Sequence, residues 1–319
     1  MVAIRVQQLL GGDRRTLAKA ITLVESQLPV HQQQAQRLLS QLLLHTGKSL
    51  RLGISGTPGV GKSTFIEAFG QYLLDQGLRI AVLAVDPSSP IAGGSILGDK
   101  TRMEQLSREP NAYIRPSPAA GALGGVAQTT RESLLLCEAA GFDVVLVETV
   151  GVGQSEYQVA NMVDFFLLLM QPNTGDELQG IKKGILELAD AIVVNKADGN
   201  LASFAERDCG QYQQVLGLVT RTGFWQPKVV TCSALENRGI DRIWSMVVEY
   251  RDQARTQGEF DRKRAQQNTN WMMHLFEQEL LTKAMGRPGF TEQQQDLKNQ
   301  VATGRITPLV AARALLELK

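Results

Sequence analysis

Residues 56–64 read Gly-Thr-Pro-Gly-Val-Gly-Lys-Ser-Thr and fit the pattern G-x-x-x-x-G-K-[ST] without a gap. An apolar run precedes the stretch and an amphipathic run follows it, which predicts a loop between a buried strand and a helix. Glycines let several backbone N–H groups point at one phosphate, and the helix N-terminus adds its dipole. We therefore predict a nucleotide-binding loop made of Gly56, Thr57, Pro58, Gly59, Val60, Gly61, Lys62, Ser63 and Thr64, with Lys62 on the β- and γ-phosphates and Ser63 on Mg²⁺.

Strand-length apolar runs continue beyond this loop and alternate with amphipathic segments, at residues 79–86, 112–116, 143–149, 163–170, 191–196 and 228–234. Several runs are apolar at consecutive positions, as expected of strands buried on both faces of a parallel sheet. The predicted fold class is α/β, a P-loop NTPase with a doubly wound, mostly parallel sheet flanked by helices. All strand C-termini then lie on one edge, where ligands bind.

The pattern differs at the two ends of the chain. Residues 1–48 repeat leucines at helical spacing, and residues 251–319 are polar at first and then amphipathic. We predict an N-terminal helical extension over 1–48, a P-loop GTPase domain over 49–250 and a C-terminal helical extension over 251–319.

A base-recognition site is indicated where two later strands end. Asn195-Lys196-Ala197-Asp198 follows one apolar run, and Ser233-Ala234-Leu235 ends the next. The Asp198 carboxylate can accept from N1–H and the exocyclic amine of guanine, whereas adenine offers neither donor there. Lys196 can cover the base plane, Asn195 can tie this loop to the phosphate loop, and the Ser-Ala-Leu turn can donate a backbone N–H to guanine O6. These residues predict GTP and GDP as ligands, with discrimination against adenine on the order of 10⁴.

Acidic residues near the phosphate loop complete the predicted catalytic set. Glu148 and Gly151 end a strand where P-loop NTPases hold an acid near Mg²⁺ and a glycine that reads the γ-phosphate. Asp86 and Asp99 are candidates for holding Mg²⁺ through water or orienting the attacking water, and helix or turn capping is the alternative for each. The predicted catalytic residues are Lys62, Asp86, Asp99, Glu148 and Gly151, and the predicted metal ligands are Ser63, Asp86, Asp99 and Glu148.

Hydrolysis without a partner is expected to be slow. No glutamine directly follows Gly151, and Gln154, the nearest one, is not assigned the role of positioning water. A third glycine-bearing polar loop, residues 171–184, lies at the same predicted sheet edge.

Composition excludes several classes of partner. With 33 Lys plus Arg against 32 Asp plus Glu, the net charge is +1, so no overall field attracts nucleic acid or an acidic membrane. The chain carries 3 cysteines and no C-x-x-C pair, which disfavours disulfides and zinc ribbons. No apolar run is long enough to cross a membrane, and no signal peptide is visible, so we expect a cytoplasmic protein.

Six segments in order closely resemble the MeaB/ArgK family of P-loop GTPases: GTPGVGKST, AVDPSSP, GGSILGDKTRM, VETVGVGQSE, GDELQGIKKG and NKAD. Glu148 is also a mark of the branch that holds the hydrogenase and urease nickel-insertion GTPases. The resemblance implies a chaperone for adenosylcobalamin-dependent methylmalonyl-CoA mutase, which gates cofactor loading and protects or reactivates the mutase. It also implies a homodimer with residues 251–319 as dimerisation arm, and switch loops, including 171–184, that sense the partner.

Three other functions remain open from the residues. A metallochaperone GTPase of the same branch would need a soft metal site, and the 3 histidines and 3 cysteines form no such motif. A P-loop small-molecule kinase would have no need of the Asn-Lys-x-Asp sequence. A binding module without turnover would leave the glycine-rich switch segments unexplained.

Overall fold

The computed structural model describes residues 4–85, 103–116, 123–149, 155–173, 183–218 and 223–317. These residues divide into two compact units, Met1–Asp261 and Arg262–Lys319. The division of the chain at residues 48 and 250 that the sequence suggests stays a prediction.

The first unit is built on a seven-stranded sheet in which every pairing between described strands is parallel. Its strands are β1 (Leu50–Gly56), β2 (Ile80–Val85), β3 (Ala112–Arg115), β4 (Val144–Thr149), β5 (Phe165–Met170), β6 (Ala191–Val194) and β7 (Lys228–Thr231). The strand order is β3-β2-β4-β1-β5-β6-β7, with β1 at the centre. The predicted doubly wound parallel sheet is therefore confirmed. From β1 the chain passes to β2 and β3 and returns to β4 beside β1, and it then continues through β5, β6 and β7 on the other side.

Helices connect these strands and flank the sheet. In the first unit they are α1 (Val6–Leu10), α2 (Arg14–Val24), α3 (Pro29–Leu42), α4 (Lys62–Asp75), α5 (Glu104–Arg108), α6 (Leu123–Ala139), α7 (Ser155–Ala160), α8 (Lys183–Leu188), α9 (Ala202–Leu218) and α10 (Ile240–Thr256). The long helix α11 (Glu259–Met285) begins at the boundary, and the second unit continues with α12 (Phe290–Ala302) and α13 (Pro308–Leu316). The predicted helical ends of the chain are thus helical in the structure.

All residues of β1, β4, β5 and β6 are buried. Burial on both faces explains why β5 and β6 are apolar at every position, whereas β1 carries Arg51 and Ser55 at buried positions. Glycine at position 53 is required by this packing, because a Cβ there would lie 2.7 Å from the Phe166 ring and 3.0 Å from Val159. The core that results holds the strand ends, and hence the loops beyond them, in fixed register.

At the edge of the sheet opposite the nucleotide motifs, buried charged side chains link β1 to its neighbours. Arg51 Nε donates to Glu138 Oε1 at 2.7 Å, and the Gly47 N–H donates to Glu138 Oε2 at 2.8 Å. The Arg51 N–H also donates to Asp164 Oδ2 at 2.8 Å. These contacts join β1, α6 and the segment before β5, and they tie the end of the N-terminal helices to the sheet.

The N-terminal helices pack within the first unit. Asp13 precedes α2 and accepts from the Thr16 N–H at 2.7 Å, so it is the N-cap of that helix. Gln36 of α3 donates to Glu132 of α6 at 2.7 Å, and Arg115 at the end of β3 pairs with Glu25.

Candidate functional site

The phosphate loop joins the end of β1 to the first residue of α4. Gly59 and Gly61 have φ values of 84° and 92°, a left-handed conformation that side chains disfavour. A side chain at position 61 would also clash with its neighbour, because a Cβ there would lie 2.9 Å from Asn195 Nδ2. The 14-residue helix α4 starts immediately after this turn, so its unpaired N–H groups and dipole face the loop. The loop is a cradle suited to a phosphate anion.

Lys62 lies over this loop and is almost fully buried. Its Nζ donates to the carbonyl oxygens of Gly56 at 2.8 Å and Thr57 at 3.2 Å. Burial lowers the pKa of Lys62, while the carboxylates of Glu148 and Glu156 act in the opposite direction. The ammonium is therefore held at the loop by neutral carbonyls and by two acidic neighbours, ready to pair with a polyphosphate.

Glu148 stands one residue before the end of β4, level with Ile54 of β1 and Ala84 of β2. It is 7% exposed, and the following Thr149 donates from Oγ1 to Ser55 Oγ at 2.8 Å. Ser63, in the first turn of α4, is only partly buried. A serine hydroxyl and a carboxylate are hard oxygen donors, the kind of ligand that Mg²⁺ takes beside phosphate and water. These two side chains fit the metal predicted from the sequence.

Asn195 links the phosphate loop to the base loop. It is 2% exposed, its Nδ2 donates to the Val60 carbonyl at 3.0 Å, and its Oδ1 accepts from the Ala234 N–H at 3.1 Å. The Cys232 thiol lies 3.4 Å from the same Oδ1, and burial raises the pKa of that thiol to about 12. One side chain thus links the base loop after β6 to the phosphate loop at Val60 and to the turn at Ala234. The sequence predicted the link to the phosphate loop.

Asp198 is oriented by the second base-loop motif. Ser233 is fully buried, its hydroxyl donates to Asp198 Oδ2, and the same hydroxyl accepts from the Glu236 N–H at 3.1 Å. Leu235 is 78% exposed at the tip of this turn. The carboxylate that sequence reasoning assigned to guanine is therefore fixed from one side by Ser233.

Lys196 has a left-handed backbone, with φ of 58°, which is rare for a non-glycine residue. Its Nζ donates to the Gly59 carbonyl at 2.6 Å and to Gln171 Oε1 at 3.2 Å. The extended stem therefore runs from the base loop toward the phosphate loop, the direction needed to lie along a bound base.

Three predicted residues, Asp86, Asp99 and Gly151, lie outside the described residues, as does most of the third loop, from residue 174 to 182. The structure brings together Lys62, Ser63 and Glu148 on one side of the site and Asn195, Lys196, Asp198 and Ser233 on the other. Their roles toward a nucleotide stay predictions.

Three neighbours of the site received no individual role from the sequence. Glu156, in the first turn of α7, is 1% exposed, and its negative charge acts to raise the pKa of Lys62. Arg238 donates a guanidinium hydrogen bond to the Ala197 carbonyl and so joins the two base-loop motifs. Gln171 contacts Lys196 from the end of β5. The only available signal was position, because each of the three lies next to a strand end or motif already identified.

Other kinds of site receive no support from the described part of the chain. The cysteines Cys137, Cys209 and Cys232 are all free. Within the described ranges no group of three or more His, Cys, Asp or Glu side chains could hold a metal ion. None of the described helices combines the length and apolarity that crossing a bilayer requires.

Known proteins resemble the chain over nearly its whole length. A family model described as methylmalonyl Co-A mutase-associated GTPase MeaB matches residues 17–289. The chain is 52% identical to a probable GTPase of Mycobacterium tuberculosis, aligned over 97% of this chain and 92% of that protein. It is 48% identical to GTPase ArgK of Escherichia coli, aligned over 99% and 96%.

A mitochondrial relative and a solved structure extend the comparison. The methylmalonic aciduria type A homolog of Mus musculus is 48% identical, aligned over 97% of this chain and 77% of that protein. A crystal structure described as LAO/AO transport system kinase superposes with a TM-score of 0.80 at 42% identity, covering 98% of this chain and 95% of that one.

We expect the substitution Asn195→Ala to weaken GDP binding about 10- to 100-fold. The change leaves the Val60 carbonyl and the Ala234 N–H without their shared partner and removes the tie between the two loops. Titration calorimetry with GDP measures the effect, and Asn299→Ala, at an exposed position of α12, is the matched control. Equal GDP affinity in Asn195→Ala and the control would contradict the assigned role.

Proposed function

Since the chain belongs to the MeaB family of methylmalonyl-CoA mutase-associated GTPases, we propose that it is a Mg²⁺-dependent GTP hydrolase acting as a chaperone for adenosylcobalamin-dependent methylmalonyl-CoA mutase. One observation carries the nucleotide part of the proposal: Asn195 bonds the phosphate loop through Val60 and the base loop through Ala234. This arrangement suits a ligand that has phosphates at one end and a base at the other.

Recognition of GTP follows from the groups that the two loops present. Backbone N–H groups of residues 59–64 and the Lys62 ammonium bind the phosphates, as the α4 N-terminus favours an anion. Asp198, held by Ser233, accepts from guanine N1–H and the exocyclic amine. In the Ser-Ala-Leu turn the Ser233 and Ala234 N–H groups donate to the Arg238 carbonyl and to Asn195 Oδ1, so the Leu235 N–H is the group proposed to donate to guanine O6. Adenine would leave the Asp198 carboxylate unpaired, which is a strong penalty in a site built on hydrogen bonds.

Hydrolysis requires charge stabilisation on the phosphates and a placed water. Ser63 and Glu148 would hold Mg²⁺ in this chain, with Asp86 and Asp99 as the further ligands proposed from sequence. Bound Mg²⁺ supplies neutralisation of the negative charge that the β- and γ-phosphates carry. Lys62 supplies a second positive charge at the same phosphates. Since no glutamine directly follows Gly151, we infer slow intrinsic turnover that a protein partner accelerates.

Two of the three alternative functions, the small-molecule kinase and the metallochaperone, fit less well. A small-molecule kinase needs a phosphate loop but has no use for the Asp198–Ser233 pair, and relatives at about half identity are described as GTPases. A metallochaperone would need a cluster of soft ligands, and the described residues contain none. The mutase role is supported by the family description and by the similarity to the methylmalonic aciduria type A homolog.

A homodimer is proposed from the second unit together with the family resemblance. Helix α11 carries six large apolar side chains that are 48% to 64% exposed: Met272, Met273, Phe276, Leu280, Leu281 and Met285. A group of large exposed apolar side chains on one helix indicates an interaction site. A second copy of the same helix would bury it by an isologous contact.

We expect Asp198→Asn to shift nucleotide preference from GTP toward XTP. The amide can donate to the C2 carbonyl of xanthine and can no longer accept two hydrogen bonds from guanine, so GTP should lose about 100-fold or more in kcat/KM. Hydrolysis of GTP and XTP by both proteins measures the shift. Retained GTP preference in the variant would place base recognition elsewhere.

Purified adenosylcobalamin-dependent methylmalonyl-CoA mutase is expected to raise the GTP turnover of this protein at least about 10-fold, because the partner completes the placement of the attacking water. Multiple-turnover phosphate release, with and without the mutase, measures the acceleration. Bovine serum albumin at equal concentration is the control. Turnover that is indifferent to the mutase would refute the chaperone role while leaving the GTPase intact.

The double substitution Phe276→Lys with Leu280→Lys is expected to convert a dimer into a monomer at micromolar concentration, because it puts charge in the apolar surface of α11. Sedimentation velocity distinguishes the two states, and Glu277→Lys on the same helix is the control. Identical sedimentation of the wild type and the double variant would show that this surface is not the dimer contact.

A further inference from the structure

Two neighbouring strands bring the base loop beside the start of the third loop. β5 and β6 pair in parallel with Met170 opposite Val194, and the Asn195 N–H donates to the Met170 carbonyl at 2.8 Å. Gln171 and Lys196 follow directly. The register of the sheet therefore places the first side chain of the third loop against the lysine that is proposed to cover the base.

The Lys196 ammonium joins three parts of the site at once. It donates to Gly59 in the phosphate loop at 2.6 Å and to Gln171 Oε1 at 3.2 Å, while its own backbone belongs to the base loop. The strained backbone of Lys196, with φ of 58°, aims the stem in this direction. A lysine side chain has high rotamer freedom, so two acceptors orient its stem far better than one.

The chain beyond Gln171 is clamped on the same side of the site. Pro172 is buried, and Asn173 has a left-handed φ of 64°. The Asn173 N–H donates to Asp208 Oδ2 at 2.7 Å, and Asp208, 5% exposed on α9, also pairs with Arg207 at 3.0 Å. Two residues after Gln171 the backbone is thus held by a defined hydrogen bond, which can report on a change at Gln171.

We propose that Gln171 is a positioning residue for the guanine base, which acts through Lys196 and makes the start of the third loop respond to base occupancy. The proposal rests on the proposed guanine-nucleotide function and adds a link between the base site and residues 171–173. Because the contact lies on the base side of the site, it contributes equally to the affinity for GDP and for GTP. It does not depend on the γ-phosphate.

Two substitutions separate the hydrogen bond from side-chain size. Gln171→Met keeps the length of the side chain and removes the acceptor, whereas Gln171→Glu keeps an acceptor and adds charge that favours the ammonium. The control is Gln253→Met, because Gln253 is a partly exposed glutamine on α10 whose side chain bonds Glu249 on the same helix.

The experiment measures Kd for GDP and for a non-hydrolysable GTP analogue by titration calorimetry, and amide hydrogen exchange of Asn173 with GDP bound. We expect Gln171→Met to weaken both nucleotides by the same factor, about 5- to 10-fold, and to speed Asn173 exchange. Gln171→Glu should restore affinity to within about twofold of the wild type, and Gln253→Met should match the wild type in both measurements.

Unchanged nucleotide affinity and unchanged Asn173 exchange in Gln171→Met would overturn the inference. A loss of affinity confined to the GTP analogue would also overturn it, because Gln171 would then act through the γ-phosphate. Failure of Gln171→Glu to restore affinity would also overturn it, since the effect would then come from packing. GDP binding by the wild type keeps the proposed function in each of these cases. Absence of GDP binding by the wild type would overturn the proposed function itself.

Discussion

A buried amide, the side chain of Asn195, sets the separation between the phosphate loop and the base loop. Its Nδ2 donates to the Val60 carbonyl and its Oδ1 accepts from the Ala234 N–H, so both ends of the amide are hydrogen-bonded. At 2% exposure, water cannot replace either partner without opening the site. Gly61 must be a glycine partly for the same reason, because a Cβ there would meet this amide. The other contacts of the site depend on that fixed distance.

Charge in the site is local, as the near-neutral chain requires. Lys62 is buried among carbonyls and two carboxylates, and Lys196 reaches across from the base loop to the Gly59 carbonyl. Both ammonium groups are thus oriented by hydrogen bonds to the protein itself, which lowers the entropy cost of binding an anion. The overall field contributes little attraction, since the net charge of the whole chain is +1.

The sheet and the two nucleotide motifs could be predicted from sequence because their signals are local. Consecutive apolar residues in β4 and β5 predicted strands buried on both faces, and the phosphate-loop pattern predicted a helix following the loop, where α4 lies. The contacts of Gln171, Arg238 and Glu156 could not be predicted in this way. Each joins residues far apart in sequence, and it is visible only once strand order and register are known.

Guanine recognition is tested most directly by multiple-turnover hydrolysis of GTP and ATP by the wild-type protein with Mg²⁺ present. We expect a kcat/KM for GTP at least about 10³-fold above that for ATP, since Asp198 and Ser233 are arranged to pair with guanine. Comparable turnover of ATP would contradict the assignment of the base site, because the base loop would then contribute no discrimination at all.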